Sequence, residues 1–178
     1  MLVTRTLTES GGPLDLVNGI PAHPLVIHAA VVLIPLAALG LLLMAVWPRF
    51  SRGLGWLVTL GAAAATVASW AAKESGEALR ERVGEPRFDH ADFGTLMPVV
   101  AAGLLLVSAL LWWIDRSTPP EAPSRRRGLR WVVAALAIAV AVGNLVWVYR
   151  VGDSGAKSVW SGRVAPAPAS VGQGANDG

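Results

Sequence analysis

Four long apolar segments, separated by short polar stretches, make up most of the chain. They cover residues 24–47, 54–72, 94–114 and 129–149. Each is close to the roughly 20 residues that a helix needs to cross about 30 Å of hydrocarbon. Their middles carry no charge and they are apolar on every side, whereas the helices of a soluble bundle keep a polar stripe. The pattern predicts an all-α fold, an integral membrane bundle of four transmembrane helices.

The composition supports a membrane protein and excludes several other classes. Hydrophobic residues make up 53% of the chain and charged residues 15%, whereas soluble domains carry about 25% charged residues. The chain has no cysteine, which excludes disulfides, thiolate zinc sites and cysteine-ligated iron–sulfur clusters. The net charge of +3 comes from basic residues in short loops beside apolar segments. Nucleic acid is therefore not a predicted partner.

The basic residues predict the orientation in the membrane. Arg49 and Arg52 follow the first segment, and a larger group separates the third segment from the fourth: Arg116, Arg125, Arg126, Arg127 and Arg130. Short loops rich in Lys and Arg stay on the cytoplasmic side. Both termini are therefore predicted on the extracytoplasmic side of the plasma membrane, with the lipid bilayer as a partner.

The chain divides into three parts. Residues 1–20 form a polar N-terminal segment without the charged start and apolar stretch of a cleavable signal peptide. Residues 21–163 form the four-helix transmembrane domain. Residues 164–178 are rich in Pro, Gly and small residues without periodicity. Because such a composition cannot bury a core, a disordered tail is predicted.

Small residues spaced four positions apart occur in the second and fourth segments. They are Gly61, Ala65 and Ser69 in one and Ala135, Ala139 and Gly143 in the other. Small side chains let helix backbones approach closely in lipid. The spacing therefore favours helix contacts along both stripes, although an alanine-rich sequence also produces this spacing by chance.

Histidines, carboxylates and one asparagine gather at the predicted outer ends of the segments. His28 lies about one turn inside the first segment, and His90 lies where the third begins. The other members are His23, Glu74, Glu77, Asn144 and Asp153. Ionisable groups at membrane depth are costly and usually mark a functional site. The sequence therefore predicts a polar pocket at the extracytoplasmic face.

The pocket allows several functions. In a non-enzymatic structural or accessory protein, His28 would bond to Glu74, Glu77 or Asn144. Alternatively, His28 and His90 would be the axial ligands of a haem b that passes electrons. Ion or proton transport is a third class, weakened because no charged residue reaches the cytoplasmic half of a segment.

A metal site built from histidines and a glutamate is a further alternative, but no ligand set is assigned. Its members would be His23, His28, His90 and one Glu. His23 and His28 are five residues apart, which separates them by about 140° on a helix. They therefore do not form a metal pair on one helix face.

Four motifs resemble those of a known family. They are the run from His23 to His28 (HPLVIH), Glu74-Ser75-Gly76-Glu77, Asp89-His90, and the run from Val151 to Lys157 (VGDSGAK) with Trp160. Together, over residues 20–160, they resemble a bacterial membrane family catalogued as domain of unknown function 2231. The resemblance implies a multi-spanning membrane protein without an assigned activity. Some relatives are fused to Rieske-type or cytochrome modules, which implies a possible electron-transfer protein as partner. Relatives often carry histidine where this chain has Asp153, which weakens a metal or haem role here.

Overall fold

The computed structural model describes residues 16–84, 89–118, 124–161 and 163. Two short antiparallel strands, β1 (Leu16–Val17) and β2 (Ile20–Pro21), precede four helices. Asn18 and Gly19 join the strands with φ values of 52° and 79°, the left-handed backbone that a tight hairpin turn requires. The predicted disordered tail, 164–178, lies outside the described residues.

The four helices are α1 (His23–Val46), α2 (Pro48–Val83), α3 (His90–Ser117) and α4 (Ser124–Trp160). Each is long and apolar enough to cross a membrane, which confirms the prediction of four transmembrane helices. α2 and α4 both continue past the ends of the predicted apolar segments. In each extension, a lysine bonds to a carboxylate four residues away, a spacing that stabilises exposed helix.

The helices form a ring in which α1 packs on α2, α2 on α3, α3 on α4 and α4 on α1. Consecutive helices run in opposite directions, so the bundle has two distinct ends. We call one the histidine end; it carries His23, Ser75, His90 and Ser154. We call the other the arginine end; it carries the α1–α2 junction and the start of α4, with Arg49, Arg52, Arg116, Arg126 and Arg130.

Positions on the inner faces of α1 and α3 recur every seven residues. The series are His23, Ala30, Ala37 and Met44 in α1, and His90, Met97, Leu104 and Leu111 in α3; the two histidines are half-buried and the others buried. A seven-residue repeat keeps one side of a helix against its neighbours in bundle packing. Each of these helices therefore begins with a histidine on its inner face.

The interior consists largely of small side chains, and most large ones face outward. The predicted stripe on α2 is at least partly inside, with Ala65 and Ser69 fully enclosed. The predicted stripe on α4 is wrong, because positions 135, 139 and 143 are exposed. The buried alanines of α4 are instead Ala134, Ala137 and Ala141. Lipid solvates the outward leucines and valines, so close backbone packing holds the helices together.

Gly55 lies at a close contact between α2 and α3, where an added methyl group would clash with Trp112. A Cβ there would lie 2.7 Å from Cδ1 of Trp112, whereas a Cβ at Gly61, on the same helix, would meet nothing within 4 Å. Gly55→Ala is expected to lower the free energy of unfolding by about 1–3 kcal/mol through overpacking. Gly61→Ala should raise it by up to about 1 kcal/mol through helix propensity. Unfolding in detergent measures both, and equal stabilities would contradict the close α2–α3 contact.

Candidate functional site at the histidine end

His23, the first residue of α1, packs against α2 at Ala72 and Ser75. Its Nδ1 lies 3.0 Å from the carbonyl oxygen of Ala72 and 3.2 Å from Oγ of Ser75. The ring also covers Gly76, where a Cβ would stand 3.1 Å from the Cε1 atom of His23. A glycine at this position therefore makes room for the imidazole.

His90, the first residue of α3, makes the same set of contacts with α4. Its Nδ1 lies 3.2 Å from the carbonyl oxygen of Val151 and 3.4 Å from Oγ of Ser154. A Cβ at Gly155 would stand 3.0 Å from the Cε1 atom of His90. The ring is half-buried, like that of His23.

The two halves of the bundle thus repeat one arrangement, which we call the imidazole contact. Each comprises a histidine at the start of one helix and three groups of the next helix. These groups are a backbone carbonyl, a serine three residues after it, and the glycine that follows the serine. In both, the serine hydroxyl donates to the same carbonyl, at 3.0 Å from Ser75 and 3.1 Å from Ser154. The hairpin of α1 and α2 and the hairpin of α3 and α4 run in the same sense, as parallel repeats do in other membrane proteins.

The imidazole contact fixes the histidine tautomer. A carbonyl oxygen only accepts hydrogen bonds, so Nδ1 must carry the proton, and the Nε2 of a neutral ring then holds a free lone pair. Within the described residues, neither Nε2 has a hydrogen-bond partner. The histidine end therefore presents two imidazole lone pairs.

His28 and the glutamates occupy other positions. His28 is exposed, and its Nδ1 bonds back to the carbonyl of Pro24 in its own helix. Lys73 pairs with both predicted acids, at 2.7 Å from Glu77 and 3.5 Å from Glu74. Among the described residues, hydrogen bonds join His23 and His90 to neighbouring helices and join His28 to none.

The last two predicted pocket residues belong to α4. Asn144 is buried and donates from Nδ2 to the carbonyl of Val140, 3.0 Å away, while its Oδ1 has no partner. It precedes Ser154 by ten residues, about 15 Å along a helix, and so lies deeper in the bundle. Asp153 pairs with Lys157 at 2.7 Å. Both border an open cleft of about 260 Å³ beside the imidazole contact of His90.

A buried ion pair at the arginine end was missed by sequence reasoning. Nε of Arg130 lies 3.0 Å from Oδ1 of Asp115, and both side chains are buried. Nη2 of Arg130 donates to the carbonyls of Met44 and Ala45, at 3.2 and 3.0 Å. These carbonyls end α1 and have no helical partner. The available signal was Asp115, the carboxylate that directly follows the third apolar segment, near the arginines of that end.

These features define a multi-pass, four-helix membrane protein built of two similar hairpins. A comparison with protein families matches residues 19–168 to the family described as "Predicted membrane protein (DUF2231)". The match covers most of the chain, so the chain belongs to this family, and the resemblance drawn from its motifs is confirmed. Searches of curated proteins and of solved structures found no match to the chain.

Proposed function

We propose that the chain is a non-enzymatic accessory protein of the plasma membrane that binds a ligand through His23 and His90. The observation that carries the proposal is the repeated imidazole contact, which holds both rings in one tautomer. If the two histidines served only to pack the helices together, the hydrogen bond from Nδ1–H would be sufficient. A free Nε2 lone pair on each of two rings at one end of the bundle suits a binding site.

The density of arginines in the short loops of the arginine end supports an extracytoplasmic position for the histidine end. The arginine end carries six exposed arginines in or beside its loops: Arg49, Arg52, Arg116, Arg125, Arg126 and Arg127. Cytoplasmic loops favour such residues. The two termini and both imidazole contacts would then face the outer side.

Ion or proton transport is the weaker proposal for this bundle. The larger core cluster, between the two ends, is formed by alanine, leucine, methionine, valine and isoleucine side chains from all four helices. Charged groups are costly at that depth. A path for ions would have to cross this apolar layer.

The absence of cysteine from the sequence makes the orientation directly testable. Single cysteines at Ser161 and at Arg126, both exposed, serve as reporters at opposite ends of α4. In intact cells, a membrane-impermeant thiol reagent is expected to label Ser161→Cys and to leave Arg126→Cys unlabelled until the membrane is opened. The reverse labelling pattern would place the histidine end in the cytoplasm.

Glutamine substitutions test the binding role of the imidazoles. Glutamine keeps an N–H for the carbonyl of the imidazole contact but lacks the imidazole lone pair. In a strain deleted for this protein, chains with His23→Gln or His90→Gln are expected to fail to restore the wild-type phenotype. His28→Gln, at an exposed histidine on the same helix as His23, is the matched control and should restore it. Full restoration by the His23→Gln, His90→Gln double variant, at equal membrane levels, would exclude a binding role.

A further inference from the structure

We propose that His23 and His90 are the two axial ligands of one haem iron, which they bind through their Nε2 atoms. This inference rests on the proposed function, because it names the ligand of the same imidazole pair. It differs from the pairing predicted from the sequence, in which His28 stood in the place of His23.

The orientation of the rings suits metal ligation. Histidines that bind metals usually donate the other ring N–H to a carbonyl or carboxylate, which fixes the tautomer and makes the ligating nitrogen more basic. His23 and His90 both donate Nδ1–H to a backbone carbonyl of the next helix. His28 bonds only within its own helix and faces away from the bundle.

The number of available ligands favours haem over a bare metal ion. Among the described residues, no group of three or more His, Cys, Asp or Glu side chains is placed to hold a metal. A zinc site made by the protein alone needs three or four ligands. Haem supplies four nitrogens itself and takes one or two axial ligands from the protein. Two imidazoles from facing helices are the kind of set that helical bundles use for such cofactors.

The cleft beside His90 suits the periphery of a haem. It is lined by Asp89, Phe93, Arg150, Asp153, Ser154 and Lys157. Ser154 belongs to the imidazole contact of His90, so the cleft adjoins that ring. A haem combines an apolar ring with two carboxylates. Phe93 offers an aromatic contact, and Arg150 offers charge-assisted hydrogen bonds to a carboxylate, whereas Lys157 is paired with Asp153.

The test uses the full chain purified from membranes in detergent and titrated with hemin. The reduced protein is expected to show the sharp low-spin spectrum of bis-imidazole iron at one haem per chain. His23→Gln and His90→Gln should each abolish that spectrum or convert it to a high-spin form, whereas His28→Gln should retain it. Circular dichroism and gel filtration of each variant separate the loss of a ligand from the loss of the fold.

Three outcomes overturn the proposal. A chain that stays colourless with hemin, or that binds Cu²⁺ or Zn²⁺ instead, excludes haem. A haem spectrum unchanged in all three variants shows adventitious binding. Loss of the spectrum in His28→Gln and its retention in His23→Gln assigns the site to His28 and His90. If haem fails while His23→Gln and His90→Gln still abolish complementation, the proposed binding function stands with another ligand.

Discussion

Replacing Arg130 by methionine is expected to lower the free energy of unfolding by about 3–5 kcal/mol, the usual effect of removing one partner of a buried ion pair. Asp115 is only 3% exposed and would keep a carboxylate without a cation. The carbonyls of Met44 and Ala45 would lose their donor as well. Because three helices meet at this guanidinium, the loss should loosen the whole arginine end.

The measurement is unfolding of the purified chain in mixed detergent micelles. Arg126→Met is the matched control, since Arg126 is exposed one turn earlier in α4, and such surface changes usually stay within about 0.5 kcal/mol. The Asp115→Leu, Arg130→Met double variant should recover part of the loss, because no unpaired charge remains. Equal stabilities of Arg126→Met and Arg130→Met would mean that the ion pair contributes nothing.

The number of helices and their membrane-crossing character followed from the sequence because both depend on segment length and hydropathy. The ends of α2 and α4 did not, because their charged extensions remain helical through local ion pairs that a hydropathy pattern does not record. The gathering of the histidines at one end of the bundle was also visible in the sequence. That feature depends only on position along the helices.

The direction in which each side chain points was much harder to predict. A helix that is apolar on every side carries no amphipathic signal for its rotation, so His28, the deeper histidine, was preferred to His23. A weak signal did exist. His23 lies seven residues before Ala30 and fourteen before Ala37, on the side of α1 where small residues recur, whereas His28 lies about 200° from Ala30 on the helix.

The prediction from the stripe of small residues was wrong on α4 for a related reason. Alanine is frequent on all sides of that helix, so a spacing of four does not identify the packed face. Asn144 does identify it, because a polar side chain in an apolar segment tends to face the bundle interior. Asn144 is buried, and so is Ala137, seven residues earlier. Polar residues were thus better guides to rotation than small ones.

Replacing Gly155 by valine is expected to displace the ring of His90 and to lower the free energy of unfolding by about 1–3 kcal/mol. The Cβ alone would stand 3.0 Å from Cε1 of His90, and valine adds two methyl groups to that position. The hydrogen bond from Nδ1 to the carbonyl of Val151 would break. The variant should therefore also fail to complement the deletion strain. Gly76→Val should affect His23 in the same way.

Gly152→Val is the matched control for the effect at Gly155. It lies one turn earlier on α4, where a Cβ would meet nothing within 4 Å, and valine is a better helix former than glycine. Its stability should therefore be unchanged or higher. Combining Gly155→Val with His90→Ala should restore much of the lost stability, because the valine then fills the space of the missing ring. If Gly155→Val lowers stability equally with and without the imidazole, the clash lies elsewhere, and the glycine is not there to make room for His90.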